Sequence, residues 1–372
     1  MSSRVSSQNI RTMFERIIKI GSITGSNNLI INGDLVFNEH ILSTVANHLL
    51  QSELERLSKE AREEMMAVIA TCVKEVLEQV IAKNLESKLV EFAHPSVQWA
   101  FYNVLKGYTM AETQEQREMI VDSMIERMYE KWDSTEKIII DAAIDAIPKL
   151  TPSTLSLLGL LQLRHQITKP PIGLMLNQYF ESLSPLVERV ADVGALEIEY
   201  LRQEKLILPL YGIRTALSLE QILLANYDLF FRKPLNPGVY DEYCQLHPEA
   251  HEAVTDEPTR ACMMWVDMTQ GEKTAFCCPN SRVLKESLVK RHQEYIIPCV
   301  DELMGMMPAF SEAELRDYFL KISPAWKKLF SLFSSEGIRN NVLSITGNYL
   351  GGKMLAKASR GKPIRLSDYN NL

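Results

Sequence analysis

The longest regular feature of the sequence is an apolar stripe with helical spacing between residues 58 and 82. Ser58 is suited to cap this segment, because its side chain can accept a hydrogen bond from the first helical turn. The apolar residues that follow recur at steps of three and four, so they fall on one face of a helix. They are Met65, Val68, Ile69, Cys72, Val73, Val76, Leu77, Val80 and Ile81. A chain built around such a segment has to bury this face against other elements.

Signals for the start of a helix recur along the rest of the chain. Capping boxes pair Asp133 with Glu136, Ser218 with Gln221 and Ser311 with Glu314. A cap followed by proline at the first helical position occurs at Thr151-Pro152 and at Ser323-Pro324. These signals predict a mostly α-helical fold with a helical body of several segments.

One segment near the N-terminus departs from the helical pattern. Apolar and β-branched residues flank Asn32-Gly33, a pair typical of tight hairpin turns. We predict a small extended element over residues 28–36. Because an isolated hairpin is only marginally stable in water, we expect Ile30 and Ile31 to pair with another copy of this leader. This expectation predicts a homo-oligomer.

Changes in composition and pattern divide the chain into five segments. Residues 1–37 form the leader, and residues 38–150 form a helical domain. In residues 151–230, three predicted helices precede a short apolar extended piece, an order that resembles a winged-helix arrangement. Residues 231–280 are irregular and contain Cys, His and Pro, and residues 281–372 are helical with a basic tail.

Several short stretches of sequence occur along the chain in a fixed order. They are Asn32-Gly33, Phe92–Gln98, Asp141–Ile144 with Pro148–Thr151, and Ser218–Leu223 before Asn226-Tyr227. In this order they resemble an uncharacterised bacterial family of mostly helical proteins. The resemblance implies a helical fold and brings no known activity or site residues. The variable genomic loci of such proteins imply a role in defence against mobile elements, including phages.

The segment Gly347–Lys353 matches part of a phosphate-binding loop, in which Gly347, Gly352 and Lys353 hold the required positions. The next residue is Met354, where the motif needs a Ser or Thr for magnesium. The match also lies about 20 residues from the C-terminus, which leaves no room for a later strand with an acidic residue. We therefore interpret the glycines as close-packing positions in a helix and expect no cofactor.

A second candidate site is a group of soft metal ligands. Cys244, His247 and His251 have metal-like spacing, and Cys277 is the preferred fourth ligand of a zinc site. Two other cysteines are alternatives for that position, namely Cys262 and Cys278. Because the order of ligands is not a standard one, we favour surface histidines and buried thiols and keep zinc as an alternative. The histidines His94 and His292 stand alone in the sequence, and we predict no catalytic role for either.

Charge is distributed unevenly along the chain. Residues 321–372 carry nine basic and two acidic side chains, whereas the whole chain has a net charge of −7. We expect this basic tail to dock on an acidic surface of its own chain or of a neighbouring subunit. Nucleic acid and an acidic protein or membrane surface are the alternatives. The residues concerned are Lys353, Lys357, Arg360, Lys362 and Arg365.

Composition narrows the class of protein. Hydrophobic residues make up 46% and charged residues 23%, which is ordinary for a protein with a sizeable core. The polar N-terminus lacks a signal-peptide core, and six cysteines are too few for a disulfide scaffold. We expect a non-enzymatic, cytoplasmic bacterial interaction or regulatory protein that binds itself or another protein. The alternatives are a nucleic-acid-linked regulator that uses the middle region and basic tail, and a zinc protein or cryptic enzyme.

Overall fold

A computed structural model describes residues 29–31, 35–37, 46, 49–129, 134–164, 176–209, 217–248, 264–267, 273–276, 278 and 280–359. Most of these residues are helical, which confirms the predicted mostly α-helical fold. The chain divides into two compact units. The first contains residues 1–155, 345–350 and 365–372, and the second contains residues 156–344 and 351–364.

The first unit combines a small hairpin with a group of packed helices. The hairpin pairs β1 with β2 in antiparallel register, Ile30 opposite Val36, and confirms the predicted extended element. The elements are β1 (Leu29–Ile31), β2 (Leu35–Phe37), α1 (Gln51–Leu54), α2 (Lys59–Ala82), a 3₁₀ segment (Glu86–Ala93), α3 (Pro95–Met110), α4 (Gln114–Tyr129) and α5 (Thr135–Ala146). A further 3₁₀ turn, Ile147–Lys149, precedes α6 (Pro152–Leu161), in which the boundary between the units falls.

The core of the first unit follows the apolar stripe identified in the sequence. On α2, Ser58 caps the first turn, with the Ala61 N–H donating to Ser58 Oγ at 3.3 Å. The inner faces of α2, α3, α4 and α5 pack together. Gln116 fastens the start of α4, because its Oε1 accepts the Thr113 N–H at 2.9 Å while its Nε2 donates to the Leu150 carbonyl at 2.6 Å. The helices α2, α4 and α5 therefore hold α3 in place.

The second unit contains the remaining helices and two small sheets. Its elements are a 3₁₀ turn (Gln162–Arg164), α7 (Leu176–Ser182), α8 (Ser184–Arg189), α9 (Ala195–Gln203), β3 (Ile207–Pro209), α10 (Leu219–Asn226), α11 (Pro237–Leu246), β4 (Met264–Asp267), β5 (Lys273–Phe276), α12 (Ser281–Lys290), a 3₁₀ turn (Glu294–Ile296), α13 (Ile297–Met306), α14 (Glu312–Ile322), α15 (Trp326–Ser334), α16 (Glu336–Arg339) and β6 (Asn341–Leu343). Helix α17 (Ile345–Ser359) starts in the first unit and continues in the second.

Aromatic side chains dominate one part of this unit's core. Phe319 lies at its centre, with ring centroids 4.3 Å from Trp326 and 4.9 Å from Phe180. At the C-terminal end of α13, the guanidinium of the half-buried Arg232 donates to the carbonyls of Met304 and Met307, both at 2.6 Å. A cation at a helix C-terminus stabilises carbonyls that lack a partner within the helix.

Local start signals and long-range pairing differ in how well the sequence predicts them. The capping boxes at Ser218 and Ser311 are confirmed, whereas the cap of α5 is Ser134, one residue after the predicted Asp133. The extended piece after α9 is confirmed as β3, but it pairs in antiparallel register with β6, far along the chain. A winged-helix arrangement of residues 151–230 alone would not contain this partner strand. The winged-helix arrangement stays a prediction, because residues 165–175 and 210–216 lie outside the described part.

Candidate functional site

The outer face of α3 exposes large apolar side chains. Trp99 is 63% exposed and Met110 is 52% exposed. The Trp99 ring stacks on Tyr102, with centroids 5.5 Å apart and planes at 28°. Together with Asn103 and Lys106, which share this side of the helix, these residues form what we call the α3 face. Their numbers step by three and four, so they lie in a row of about 16 Å.

The opposite side of α3 explains why Trp99 is left outside. Val97, Phe101, Val104, Leu105 and Tyr108 are each no more than 1% exposed and occupy the stripe that faces α2, α4 and α5. Phe101 meets Phe92 edge-on at 5.1 Å. With the inner stripe filled by other side chains, the indole has no place in the core.

The start of α3 is held by a histidine. His94 is the N-cap, and its Nδ1 accepts the Ser96 N–H at 3.2 Å and lies 3.0 Å from Ser96 Oγ. Pro95 follows at the first helical position, where a missing N–H costs nothing. Arg127 on α4 donates to the Ser96 carbonyl at 3.1 Å. The cap and this arginine fix the turn that carries Trp99.

Charged groups surround this end of the helix. Arg127 is paired with Asp141 on α5, and Lys88 is paired with Glu91 at 2.8 Å. Burial lowers the pKa of the Lys137 amine, and the nearby Arg127 lowers it further. Loss of hydration, followed by the charges of Lys137 and Arg127, lowers the pKa of His94 from 6.5. These effects disfavour the protonated form of the His94 ring.

The predicted phosphate-loop match adopts a different structure from the one its motif requires. Gly347, Gly352 and Lys353 all lie inside α17, so their backbone N–H groups do not form a loop around an anion. Tyr349 in the same segment is buried and donates to Glu126 Oε2 at 2.5 Å. A Cβ on Gly351 would collide with the Leu158 carbonyl. The close approach of the Leu158 carbonyl thus leaves no room for a side chain at position 351.

The predicted zinc ligands are described only in part. Cys244 is half-buried on α11, and His247 follows the helix end, where its ring stacks on Tyr243 at 4.5 Å. Cys278 donates to the Asn280 carbonyl at 3.4 Å. His251, Cys262 and Cys277 lie outside the described residues. Within the described ranges, no group of three or more His, Cys, Asp or Glu side chains is arranged to hold a metal.

The two predicted interaction segments are also described in part. Ile30 and Ile31 lie in β1, whose hairpin is near the 3₁₀ segment of the same unit. Lys353 and Lys357 are on α17, half-buried and exposed respectively. Three more residues of the tail lie outside the described part, namely Arg360, Lys362 and Arg365. Docking through either segment stays a prediction.

A groove of about 570 Å³ lies in the second unit between α9 and the α15–α16 region. Ile198 and Leu332 line its apolar floor, and Arg202 and Lys328 provide its positive charge. Both cations are engaged by the protein itself. Arg202 contacts Glu199 at 2.9 Å, the Gly337 carbonyl and Asn341, and Lys328 contacts Asp192 at 3.2 Å. The α3 face is therefore the better candidate for a binding surface.

Sequence reasoning missed the α3 face. The stretch Phe92–Gln98 carries part of the family resemblance, and Trp99 is the next residue. The available signal was the apolar stripe from Val97 to Tyr108, which leaves Trp99 and Met110 on the other side of a helix. Which side faces solvent follows only from the packing of neighbouring helices.

The fold and this surface together define a helical protein with an exposed aromatic patch. The chain belongs to an uncharacterised family, whose model matches residues 41–368 and for which no activity is known. The resemblance predicted from the sequence is thereby confirmed. No curated protein and no solved structure matches the chain. Among the described helices, none is long and apolar enough to cross a membrane.

Proposed function

We propose that the protein is a non-enzymatic, cytoplasmic interaction protein that associates with a second copy of itself through the α3 face. The observation that carries the proposal is the exposure of Trp99, stacked on Tyr102. Exposing an indole to water costs free energy, and tryptophan and tyrosine are enriched among residues that dominate protein interfaces. The link to defence against mobile elements stays a prediction from the family resemblance.

The spacing along α3 suits a second copy in particular. In a symmetric pair each surface contacts the same surface of the other chain. If two α3 helices pack antiparallel about an axis between Val104 and Leu105, Trp99 comes opposite Met110 of the other copy. The thioether then contacts the indole, a favourable pairing of sulfur with an aromatic ring. Lys106 comes close to Tyr102 of the other copy, where its ammonium can lie over the ring.

The size of the α3 face sets the expected affinity of the dimer. Five side chains along a row of about 16 Å bury less area than a stable interface of standard size. We therefore expect a weak, concentration-dependent dimer in which Trp99 supplies much of the binding free energy. The leader residues Ile30 and Ile31 and the basic tail are proposed as additional contacts rather than as the main one.

The experiment is a measurement of solution mass for the full chain over a range of concentrations. Trp99→Ala should raise the dimer dissociation constant by about tenfold or more, since each dimer loses two indoles. Leu196→Ala is the matched control, because Leu196 is also a highly exposed apolar residue but lies on α9 in the second unit. The proposal fails if Trp99→Ala and Leu196→Ala have the same dissociation constant as the unaltered chain.

A further inference from the structure

The N-cap of α3 is a side chain that titrates. N-caps are usually Ser, Thr, Asp or Asn, whose oxygens accept hydrogen bonds across the physiological pH range. His94 accepts the Ser96 N–H through Nδ1, so its ring must carry its proton on Nε2. A second proton on Nδ1 turns this acceptor into a donor. The cap therefore exists only while His94 is neutral.

The protonated ring has its own partner within reach. Ser96 Oγ lies 3.0 Å from His94 Nδ1 and can accept a hydrogen bond from it. Protonation thus exchanges one hydrogen bond for another, and the Ser96 N–H is the group that loses its acceptor. His94 is exposed, so solvent supplies the proton directly.

Among the residues that the structure describes, charged groups on three packed elements face His94. Glu91 on the preceding 3₁₀ segment favours the protonated ring, although its carboxylate is shared with Lys88. Arg127 on α4 and Lys137 on α5 oppose protonation, and Asp141 on α5 is occupied by Arg127. The positive end of the α3 dipole also disfavours a cation at the cap.

We propose that His94 is a protonation switch for the first turn of α3. In its neutral form the ring caps the turn by accepting the Ser96 N–H, and in its protonated form it releases that N–H and donates to Ser96 Oγ. Trp99 lies about one turn further along the helix. Loosening the first turn therefore makes the position of Trp99 within the α3 face less fixed. The switch itself does not depend on the proposed function, whereas this consequence for self-association rests on it.

The direction of the pH effect follows from the environment of the ring. The fold holds the pKa of His94 below 6.5, the usual value for a histidine side chain. The unfolded chain therefore takes up this proton first as pH falls. The neutral cap contributes its full stabilisation above pH 6.5, the pKa of histidine in the unfolded chain. This stabilisation is lost as the pH falls through the lowered pKa of His94 in the folded protein.

The test combines two measurements on the full chain between pH 8 and pH 5. Ring nitrogen NMR, assigned by comparison with His94→Asn, reports the pKa and the tautomer of His94. Amide hydrogen exchange, corrected for the intrinsic effect of pH, reports the protection of the turn at Ser96 and Val97. We expect a pKa below 6.5 and a fall in protection of about fivefold as the ring titrates, a size typical of losing an N-cap.

Three variants make the result specific. His94→Asn keeps a cap that does not titrate, so its protection should not change with pH, and His94→Ala should show low protection throughout. His292→Asn is the control for removing a titrating histidine elsewhere. Its φ of 58° is one that Asn tolerates. The proposal is overturned if His94 stays neutral down to pH 5, or if it titrates while protection remains constant. It is also overturned if His94→Asn loses protection as the unaltered chain does. None of these outcomes depends on whether the chain dimerises.

Discussion

Arg127 and Asp141 form a two-point ion pair at the start of α3. Arg127 Nε donates to Asp141 Oδ1 at 2.6 Å, and Arg127 Nη2 donates to Asp141 Oδ2 at 3.2 Å. Arg127 is only 3% exposed, and the same Nη2 also donates to the Ser96 carbonyl. One buried guanidinium therefore connects α3, α4 and α5 at the end of the first unit where Trp99 lies.

Removing the carboxylate of this pair leaves a buried cation without its counter-charge. We expect Asp141→Ala to lower the free energy of unfolding by about 2–4 kcal/mol. Asp145→Ala on the same helix is the control, because Asp145 and Lys149 form an exposed pair, which contributes about 0–1 kcal/mol. Urea unfolding followed by circular dichroism compares the two. Equal effects would show that the Arg127 pair is not a structural link.

Gly351 is expected to tolerate no side chain. Its position on α17 places a Cβ against the Leu158 carbonyl and 3.0 Å from Gln162 Cγ. Gly351→Ala should destabilise the protein by about 1–3 kcal/mol, since a backbone carbonyl cannot move aside cheaply. Gly305→Ala on α13, where nothing lies within 4 Å, should instead stabilise it by about 0.5–1 kcal/mol. Thermal unfolding of both variants checks the opposite signs.

Glu220 is a fully buried carboxylate that depends on a single arginine. Its Oε1 accepts from Arg316 Nε at 2.6 Å, and the residue is 0% exposed. Arg316→Ala should cost about 2–4 kcal/mol, because it leaves a buried charge unpaired. Adding Glu220→Gln should recover part of this loss by removing the charge. Stability measurements on the single and double variants test the pair, and no recovery would contradict this account of the buried charge.

The carboxylate of Glu314 makes a contribution to stability that decreases as the pH falls. Lys233 and the capping-box partner Ser311 hydrogen-bond its carboxylate and lower its pKa from 4.5 to about 2. The contribution of this carboxylate is thus present above pH 4.5 and is lost as pH falls toward 2. The difference in melting temperature between the unaltered chain and Glu314→Gln should narrow between pH 5 and pH 3. For Glu286→Gln, an exposed pair with Arg282 at 3.8 Å, the difference should stay small throughout.

The sequence predicted what local chemistry decides. Ser58, Ser218 and Ser311 were found as caps because a hydroxyl and the first helical turn are neighbours in the chain. The hairpin of β1 and β2 was found for the same reason, since its two strands are close together in the sequence. Each of these features involves atoms separated by only a few residues.

Features set by distant parts of the chain were not predictable in this way. The partner of β3 is β6, and most of the sequence of the second unit lies between these two strands. The motif at Gly347 has the same sequence whether it forms a phosphate-binding loop or part of a helix, and only the folded backbone, which is helical here, distinguishes the two. The exposure of Trp99 likewise depends on which three helices cover the other side of α3. The candidate surface is therefore a property of packing and not of a motif.

The central claim is that Trp99 and Met110 of two copies contact one another across antiparallel α3 helices. The most direct measurement is a double-mutant cycle in the dimer dissociation constant by sedimentation equilibrium. It compares the unaltered chain, Trp99→Ala, Met110→Ala and the double variant. We predict that each single change weakens the dimer and that the double variant loses less than the two effects combined, since both remove the same contact. Additive effects, or an unaltered chain that stays monomeric at about 100 µM, would contradict this account.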